Sequence, residues 1–242
     1  YFNRTTVGSV QLAMIRLAAA RLRKWDVRTV PRVHHFIANS RYVAERIRRI
    51  YGREAAVIHP PVETQRFVVS TQDDGSFLVV SALVPYKRVD LAIAAANRHG
   101  FPLRIIGDGP ERSRLEAMAG STVSFEGWVD DAAIERAYAS CRALLFPGEE
   151  DFGIVPVEAM ASGKPVIAFG RGGATETVVE GLSGTLFPEQ TVNSLASAID
   201  RFELLSFDAS AIRTHAEHFD RTIYARRMGE FIAAKWEQRF HG

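Results

Sequence analysis

From residue 75 onward, short apolar runs alternate with stretches of helical spacing. Phe77-Leu78-Val79-Val80 precedes a helical pattern from Val89 to Ala96, and Leu103-Arg104-Ile105-Ile106 precedes one from Glu111 to Met118. The series continues with Val123-Ser124-Phe125, a helix from Asp131 to Ala139, Ala143-Leu144-Leu145-Phe146, a helix through Glu158, and Pro165 to Phe169. Runs that are apolar at successive positions suit strands buried on both faces. Strands alternating with helices at this spacing predict βαβ units, hence an α/β fold with a parallel sheet covered by helices on both sides. Such sheets bind ligands beyond the carboxyl ends of their strands. The final stretch holds helical patterns, Ser194 to Leu205 and Ile223 to Trp236, and no evident strand.

The first part of the chain has a different rhythm. Residues 9–24 place Leu12, Ile15, Ala19 and Leu22 on one helical stripe, with Arg16, Arg23 and Lys24 off it. His34 to Ala38 reads as a short strand, Ser40 as a helix cap, Arg41 to Tyr51 as a helix and Ala55 to Ile58 as a second short strand. His59-Pro60-Pro61-Val62 follows, and its two prolines remove backbone donors and hold the chain extended. The expected organisation is therefore an amino-terminal segment over 1–58, a linker over 59–74, the main α/β domain over 75–220 and a terminal helix over 221–242.

Composition adds class limits. With 47% hydrophobic and 24% charged residues the chain is expected to fold as a globular protein. No run approaches the roughly 18 apolar residues of a membrane-spanning helix. Tyr1-Phe2-Asn3-Arg4 lacks a secretory pattern, so the expected location is cytoplasmic. The single cysteine, Cys141, allows neither an internal disulfide nor a cysteine metal cluster and reads as a buried structural thiol. The seven histidines show no metal spacing: His34 and His35 would face opposite sides of a strand, and His215 and His218 read as solvated helix positions. The formal charge of +2 hides an asymmetry, since residues 1–53 hold 12 Lys/Arg against 2 Asp/Glu. Such a segment either pairs with acidic surface of the same protein or meets an anionic membrane surface. No zinc spacing or RNA-binding aromatic motif points to nucleic acid.

The most informative stretch is Phe146-Pro147-Gly148-Glu149-Glu150-Asp151-Phe152-Gly153-Ile154-Val155-Pro156-Val157-Glu158. A buried strand ends in a glycine-bearing acidic loop, and a helix starts near Gly153. Gly153 permits close approach of a ligand, and the N–H groups of Ile154 and Val155 would face whatever lies above the helix start. Pro156 in the first turn costs nothing, because its missing donor would be unpaired there anyway. Glu158 can accept two ribose hydroxyls, and Glu150 can reach a second polar group; equally, acidic residues here can simply complement the helix dipole.

Glu150 and Glu158, with seven residues between them around Phe152-Gly153, resemble the E-x7-E motif of the GT4 family of retaining glycosyltransferases, whose fold is called GT-B. Ile58-His59-Pro60-Pro61-Val62 through Phe67, Ser81 to Arg88, Gly107-Asp108-Gly109-Pro110-Glu111 and Gly172-Gly173-Ala174-Thr175-Glu176 match in the same order. The resemblance implies that residues 75–220 form a Rossmann-like donor-binding domain and residues 1–58 a remnant of an acceptor-side domain, so that the chain is amino-terminally truncated. It further implies that Glu158 holds the nucleotide ribose, that Glu150 contacts the donor sugar, and that Ile154 and Val155 meet the diphosphate or sugar through their main chain. Lys87 would bind the diphosphate, Arg88 would be a second phosphate contact, and Val129 would lie at the nucleobase. Gly109 would lie near the donor pocket, where a turn role is equally open. The family's arginine two residues after the first strand is absent, for Ala82 stands there.

By the same resemblance the reaction transfers a hexose from a nucleoside diphosphate sugar with retention, by departure and attack on one face. No metal or other cofactor is implied. GDP-mannose is the favoured donor and a saccharide or lipid-linked molecule the acceptor, which would give the basic segment a reason to lie peripherally at the inner face of the plasma membrane. Rival readings are a nucleotide-sugar epimerase of the same fold and a non-catalytic nucleotide-sugar-binding module. A dehydrogenase is disfavoured because Gly107-Asp108-Gly109 lacks the third glycine of the dinucleotide fingerprint.

Overall fold

The structure is a computed structural model that describes residues 8–240. Tyr1 to Arg4, read above for a secretory pattern, lie outside the described residues. The chain divides into two compact units, Tyr1–Val57 and Ile58–Gly242.

The first unit consists of α1 (Ser9–Thr29), β1 (Phe36–Ala38), α2 (Arg41–Tyr51) and β2 (Ala55–Val57), with β1 and β2 paired in parallel. Ser40 caps α2, its hydroxyl accepting from the Val43 amide at 3.1 Å, as its position predicts. Gly52 ends α2 in the left-handed conformation at φ 62°. Helix α1 runs past Lys24 to Thr29. Of its apolar stripe Leu12 is buried, whereas Leu22 is exposed together with Val10, Met14, Leu17 and Trp25. His34 and His35 precede β1 rather than belonging to it, and Arg53 donates to the His34 carbonyl at 2.9 Å.

In the second unit six strands, β3 (Phe77–Val80), β4 (Leu103–Ile106), β5 (Val123–Gly127), β6 (Ala143–Phe146), β7 (Val166–Phe169) and β8 (Gly184–Phe187), form one parallel sheet in the order β5-β4-β3-β6-β7-β8. The chain builds outward from β3 in one direction, then returns to β3's other side and builds the opposite way. This is the doubly wound order, and the point of reversal lies between β3 and β6. The helices are α3 (Val89–His99), α4 (Arg112–Met118), α5 (Asp131–Ser140), α6 (Ile154–Ala161), α7 (Ala174–Thr177), α8 (Val192–Glu203), α9 (Ala209–Ala216) and α10 (Arg221–Phe240).

Strand alternation sorts the apolar side chains into two cores. Phe77, Val79, Ile105, Leu145 and Ile167 pack on one face with α3 and α8, while Leu78, Ile106, Leu144 and Ala168 pack on the other with Tyr138, Val157, Met160 and Ile212. Strands β6 and β7 are buried at every position, so their continuous apolar runs were readable. Strand β8 was not expected: Gly184-Thr185-Leu186-Phe187 is brief and half polar, and Thr185 is fully buried because its hydroxyl donates to Glu180 at 2.5 Å. The expected linker also differs. Val62 and Phe67 are buried in the core beside α6, the Val62 amide donates to Phe219 O at 3.1 Å, and Thr64 donates to Asp220 at 2.5 Å. The prolines do extend this stretch, but its apolar side chains have a core to enter. Helix α10 runs over Arg221–Phe240 and buries none of its residues; the last two positions of the expected terminal helix, 241 and 242, lie outside the described residues.

Candidate functional site

The point of strand reversal is where the sequence concentrates its chemistry. Beyond β6 the chain turns through Pro147 to Phe152, and Gly153 enters the left-handed region at φ 86° before α6 begins. No side chain caps α6, so the Ile154 and Val155 amides keep their donor capacity at a positive helix end. The acidic loop is held from below by the glycine pair of the β7–α7 connection: Gly173 N donates to Glu150 O at 2.8 Å. A Cβ on Gly173 would stand 2.1 Å from Phe152 Cα, so only glycine permits this approach. These glycines therefore shape the acidic loop.

Lys87 ends a short turn, Pro85–Lys87, after β3, and its ammonium pairs with the Glu150 carboxylate. Both side chains are largely buried, at 17% and 20% exposure, so the pair is weakly screened. Arg88 is the sole non-glycine residue at positive φ among the described residues, at 54°, and its guanidinium turns to Asp90 at 3.1 Å. The structure therefore does not bring Arg88 to the site as Lys87's phosphate-binding companion.

Glu158 lies one turn into α6, half-buried, and its Oε2 accepts from the Tyr138 hydroxyl on α5 at 2.9 Å. Burial pushes the Glu158 carboxyl above the usual range; the Tyr138 hydroxyl and the Arg66 charge act against that shift, and Asp131 adds to it. Tyr138 is completely buried, and burial raises its phenol well above the ordinary value, so it remains a donor.

A cleft of about 410 Å3 opens at the carboxyl ends of β3 and β4. Val80, Ile106, Ile134 and Val155 give it an apolar wall, Lys87 a cationic end and Trp128 an exposed aromatic rim. Three residues singled out in the sequence, Lys87, Val129 and Val155, thus share one cavity, with Glu150 attached through Lys87. Gly109 does not line it. A Cβ there would stand 2.5 Å from the Leu83 carbonyl oxygen, and Glu111 N donates to that same carbonyl at 3.0 Å, so Gly109 serves the packing of its loop against the turn bearing Lys87. A second cavity of about 250 Å3, lined by Gln72, Arg142, Lys164 and Glu203, contains none of the predicted residues.

Two neighbours escaped sequence reasoning. Tyr138 reads as a core position of an amphipathic helix, and the one available signal was that a buried phenol requires a hydrogen-bond partner. His59, read only as part of a linker, places Nε2 3.1 Å from Glu176 and stacks on Phe152 of the acidic loop. Away from the cleft, His215 contacts the Thr177 carbonyl at 2.7 Å through Nε2, while His218 is exposed. Cys141 is buried, and burial pushes its thiol up to about 12. Among the described residues no three His, Cys, Asp or Glu side chains gather as a metal site, and no helix is long and apolar enough to cross a membrane.

A doubly wound parallel sheet, with an uncapped helix start and an apolar, cation-ended cleft at the strand reversal, defines a Rossmann-like α/β domain. Residues 62–219 match the family model of glycosyl transferases group 1, and the chain belongs to that family. It is 34% identical over 200 residues to a GDP-mannose-dependent alpha-mannosyltransferase of Mycolicibacterium smegmatis, covering 80% of this chain and 50% of that protein. It is 35% identical over 171 residues to an exopolysaccharide phosphotransferase of Streptomyces coelicolor, covering 65% of this chain and 18% of the other. The chain thus spans about half or less of the length of these curated relatives. Among solved structures it resembles Anabaena HepE in complex with UDP and glucose, with a TM-score of 0.77 at 24% identity over 87% of this chain and 66% of that one, a likeness of GT-B fold.

Proposed function

We propose that the second unit binds a nucleoside diphosphate sugar in the cleft at the strand reversal and serves as the donor-binding half of a retaining hexosyltransferase. The observation that supports this best is the convergence of Lys87, Val129 and Val155 on one cavity, with Glu150 bound to Lys87. The apolar wall suits a nucleobase near Val129. Glu158 accepts ribose hydroxyls, and the diphosphate lies between the Lys87 ammonium and the Ile154 and Val155 amides. These donors supply the positive charge the diphosphate requires, and the proposal assigns no metal or other cofactor.

As the bond between the anomeric carbon and the diphosphate breaks, negative charge develops on the departing phosphate oxygen. Lys87 and the start of α6 stabilise it there, and preorganised charge of this kind commonly contributes more to a rate enhancement than any other single effect. Glu150, released from Lys87 by the incoming diphosphate, accepts hydroxyls of the donor sugar. With no carboxylate assigned as nucleophile, attack occurs on the face from which the diphosphate departs. GDP-mannose is the proposed donor, supported by the mycobacterial relative's name, and a saccharide or lipid-linked molecule the proposed acceptor. The proposed location is the cytoplasm, and the basic, partly apolar exposed surface of α1 supports peripheral contact with anionic lipid there.

Calorimetric titration with GDP-mannose, GDP, UDP-glucose and UDP tests the assignment. Selective binding of the guanine ligands supports the proposed donor. Selective binding of the uracil ligands keeps the site and replaces the donor, and absence of binding by all four overturns the function.

A further inference from the structure

Glu158 has two carboxylate oxygens and, in this fold, one protein partner. Oε2 accepts from the Tyr138 hydroxyl at 2.9 Å, and no other hydrogen bond to the Glu158 carboxylate is present among the described residues. The two residues sit on different helices, α5 and α6, and the Tyr138 ring is locked. It is fully buried, meets Phe67 edge-on at 5.7 Å and belongs to the core formed by Leu144, Val157 and Met160. A glutamate side chain has three rotatable bonds, and its terminal torsion is soft. A fixed donor on one oxygen removes much of that freedom and leaves the other oxygen for a ligand.

We propose that Tyr138 is a positioning residue, which fixes the Glu158 carboxylate so that Oε1 and the remaining lone pair of Oε2 face the ribose hydroxyls of the nucleotide. The inference rests on the assignment of Glu158 to the ribose. Its physical content is preorganisation: an acceptor already held in place loses less freedom when the ligand arrives. The hydroxyl also favours the charged carboxylate, which is the stronger acceptor and which burial opposes. The other groups acting on this carboxylate are Arg66, itself held by Glu135 at 2.6 Å and Asp131 at 3.2 Å, and Asp131. None of these is changed by removing the phenol oxygen.

The test is a set of titrations of the whole chain with UDP and GDP and with their 2′,3′-dideoxy counterparts, using wild type, Tyr138→Phe, Glu158→Ala and the double variant. Tyr138→Phe is expected to weaken the better ribonucleotide about tenfold, as for loss of a hydrogen bond to a charged group. It is expected to leave the dideoxynucleotide unchanged and to add nothing in the Glu158→Ala background. The pH below which ribonucleotide binding fails is also expected to rise in Tyr138→Phe, because the carboxylate loses a donor that favours its charged form. Equal weakening of ribo- and dideoxynucleotide would make Tyr138 a packing residue and overturn the proposal, as would unchanged binding of both with an unchanged pH profile. If Glu158→Ala binds ribonucleotide as wild type does, the ribose assignment itself fails, a result distinct from a failure at Tyr138 alone. Should Tyr138→Phe fold poorly, the wild-type and Glu158→Ala preference for ribose over dideoxyribose still decides the assignment on which Tyr138 depends, and Tyr138→Met, flexible, no larger than tyrosine and without a donor, replaces it in the cycle.

Discussion

Removing the two ends of the Lys87–Glu150 pair should change nucleotide affinity in opposite directions. In the free protein the Lys87 ammonium is held by Glu150, with both side chains largely buried. A diphosphate must draw the cation away from the carboxylate, or share it, while tolerating a like charge beside it. A hydrogen bond to a charged group is worth about 1.5 to 3 kcal/mol. Because Lys87 gives up part of its bond to Glu150, Lys87→Ala should weaken GDP or UDP toward the lower end of that range, about tenfold to thirtyfold. Glu150→Gln removes the competing charge and frees the ammonium. Exposed pairs are worth up to about 1 kcal/mol and this one is better shielded, so the diphosphate should bind about fivefold tighter or more. Glu150→Ala should tighten the nucleotide similarly but erode the preference for the nucleotide sugar over the bare nucleotide, since it removes an acceptor for sugar hydroxyls. Calorimetry on the three variants at fixed salt reads all of this. If Glu150→Gln weakens the diphosphate as much as Lys87→Ala does, the pair is a scaffold for the loop and not a switchable phosphate ligand.

Asp220 accepts from the Thr64 hydroxyl, the Thr222 amide and the Thr222 hydroxyl at 2.5, 2.9 and 2.7 Å, and these bonds together outweigh the burial that would raise its pKa. Its folded pKa is depressed, so the stability it contributes is present above the unfolded carboxylate value of about 3.9 and is lost as pH falls through the folded value. Asp220→Asn should cost about 1 to 3 kcal/mol at pH 7 in urea unfolding and flatten the acid limb; an unchanged midpoint would contradict the role of these bonds. Gly173→Ala must displace Phe152 or the α7 start, because its new carbon would fall 2.1 Å from a backbone atom. It should lower thermal stability and nucleotide affinity together, by about 1 to 3 kcal/mol in stability, and wild-type values for both would refute the loop-holding role. Cys141, with its thiol pushed up to about 12 by burial, should resist a thiol reagent at pH 8 in the folded protein and react promptly in denaturant. Rapid native labelling would show that the α5–β6 junction opens readily.

The most legible strands of this fold were those with a regular burial pattern, uniform in β6 and β7 and alternating in β5. Strands β6 and β7 lie in the middle of the sheet and announce themselves as unbroken apolar runs, whereas β8 at the edge carries a glycine and a threonine and reads as a loop. The double proline of residues 60 and 61 was read for its backbone effect alone, which hid the anchoring of Val62, Thr64 and Phe67 by contacts 150 or so residues away in sequence, such as Thr64 with Asp220. In the site, Glu150, Gly153 and Glu158 were visible because a strand end, a glycine and a helix start fall in one short stretch. Arg88 and Gly109 could not be settled there, since proximity in sequence to a functional residue does not say which partner a side chain takes. Arg88 turns to Asp90, and Gly109 is occupied by packing against Leu83. Tyr138 was invisible for the opposite reason: its partner lies on another helix, and only tertiary packing brings them together.

A crystal structure of this chain grown with GDP-mannose, and in parallel with UDP-glucose, examines the nucleotide-sugar site without intermediary. The diphosphate should lie on Lys87 Nζ and the Ile154 and Val155 amides, the ribose on Glu158, and the base against Val129 in the cleft of about 410 Å3. Nucleotide bound instead in the cavity beside Lys164 and Arg142, or a diphosphate that leaves the Lys87–Glu150 pair intact and makes no contact with α6, would contradict it.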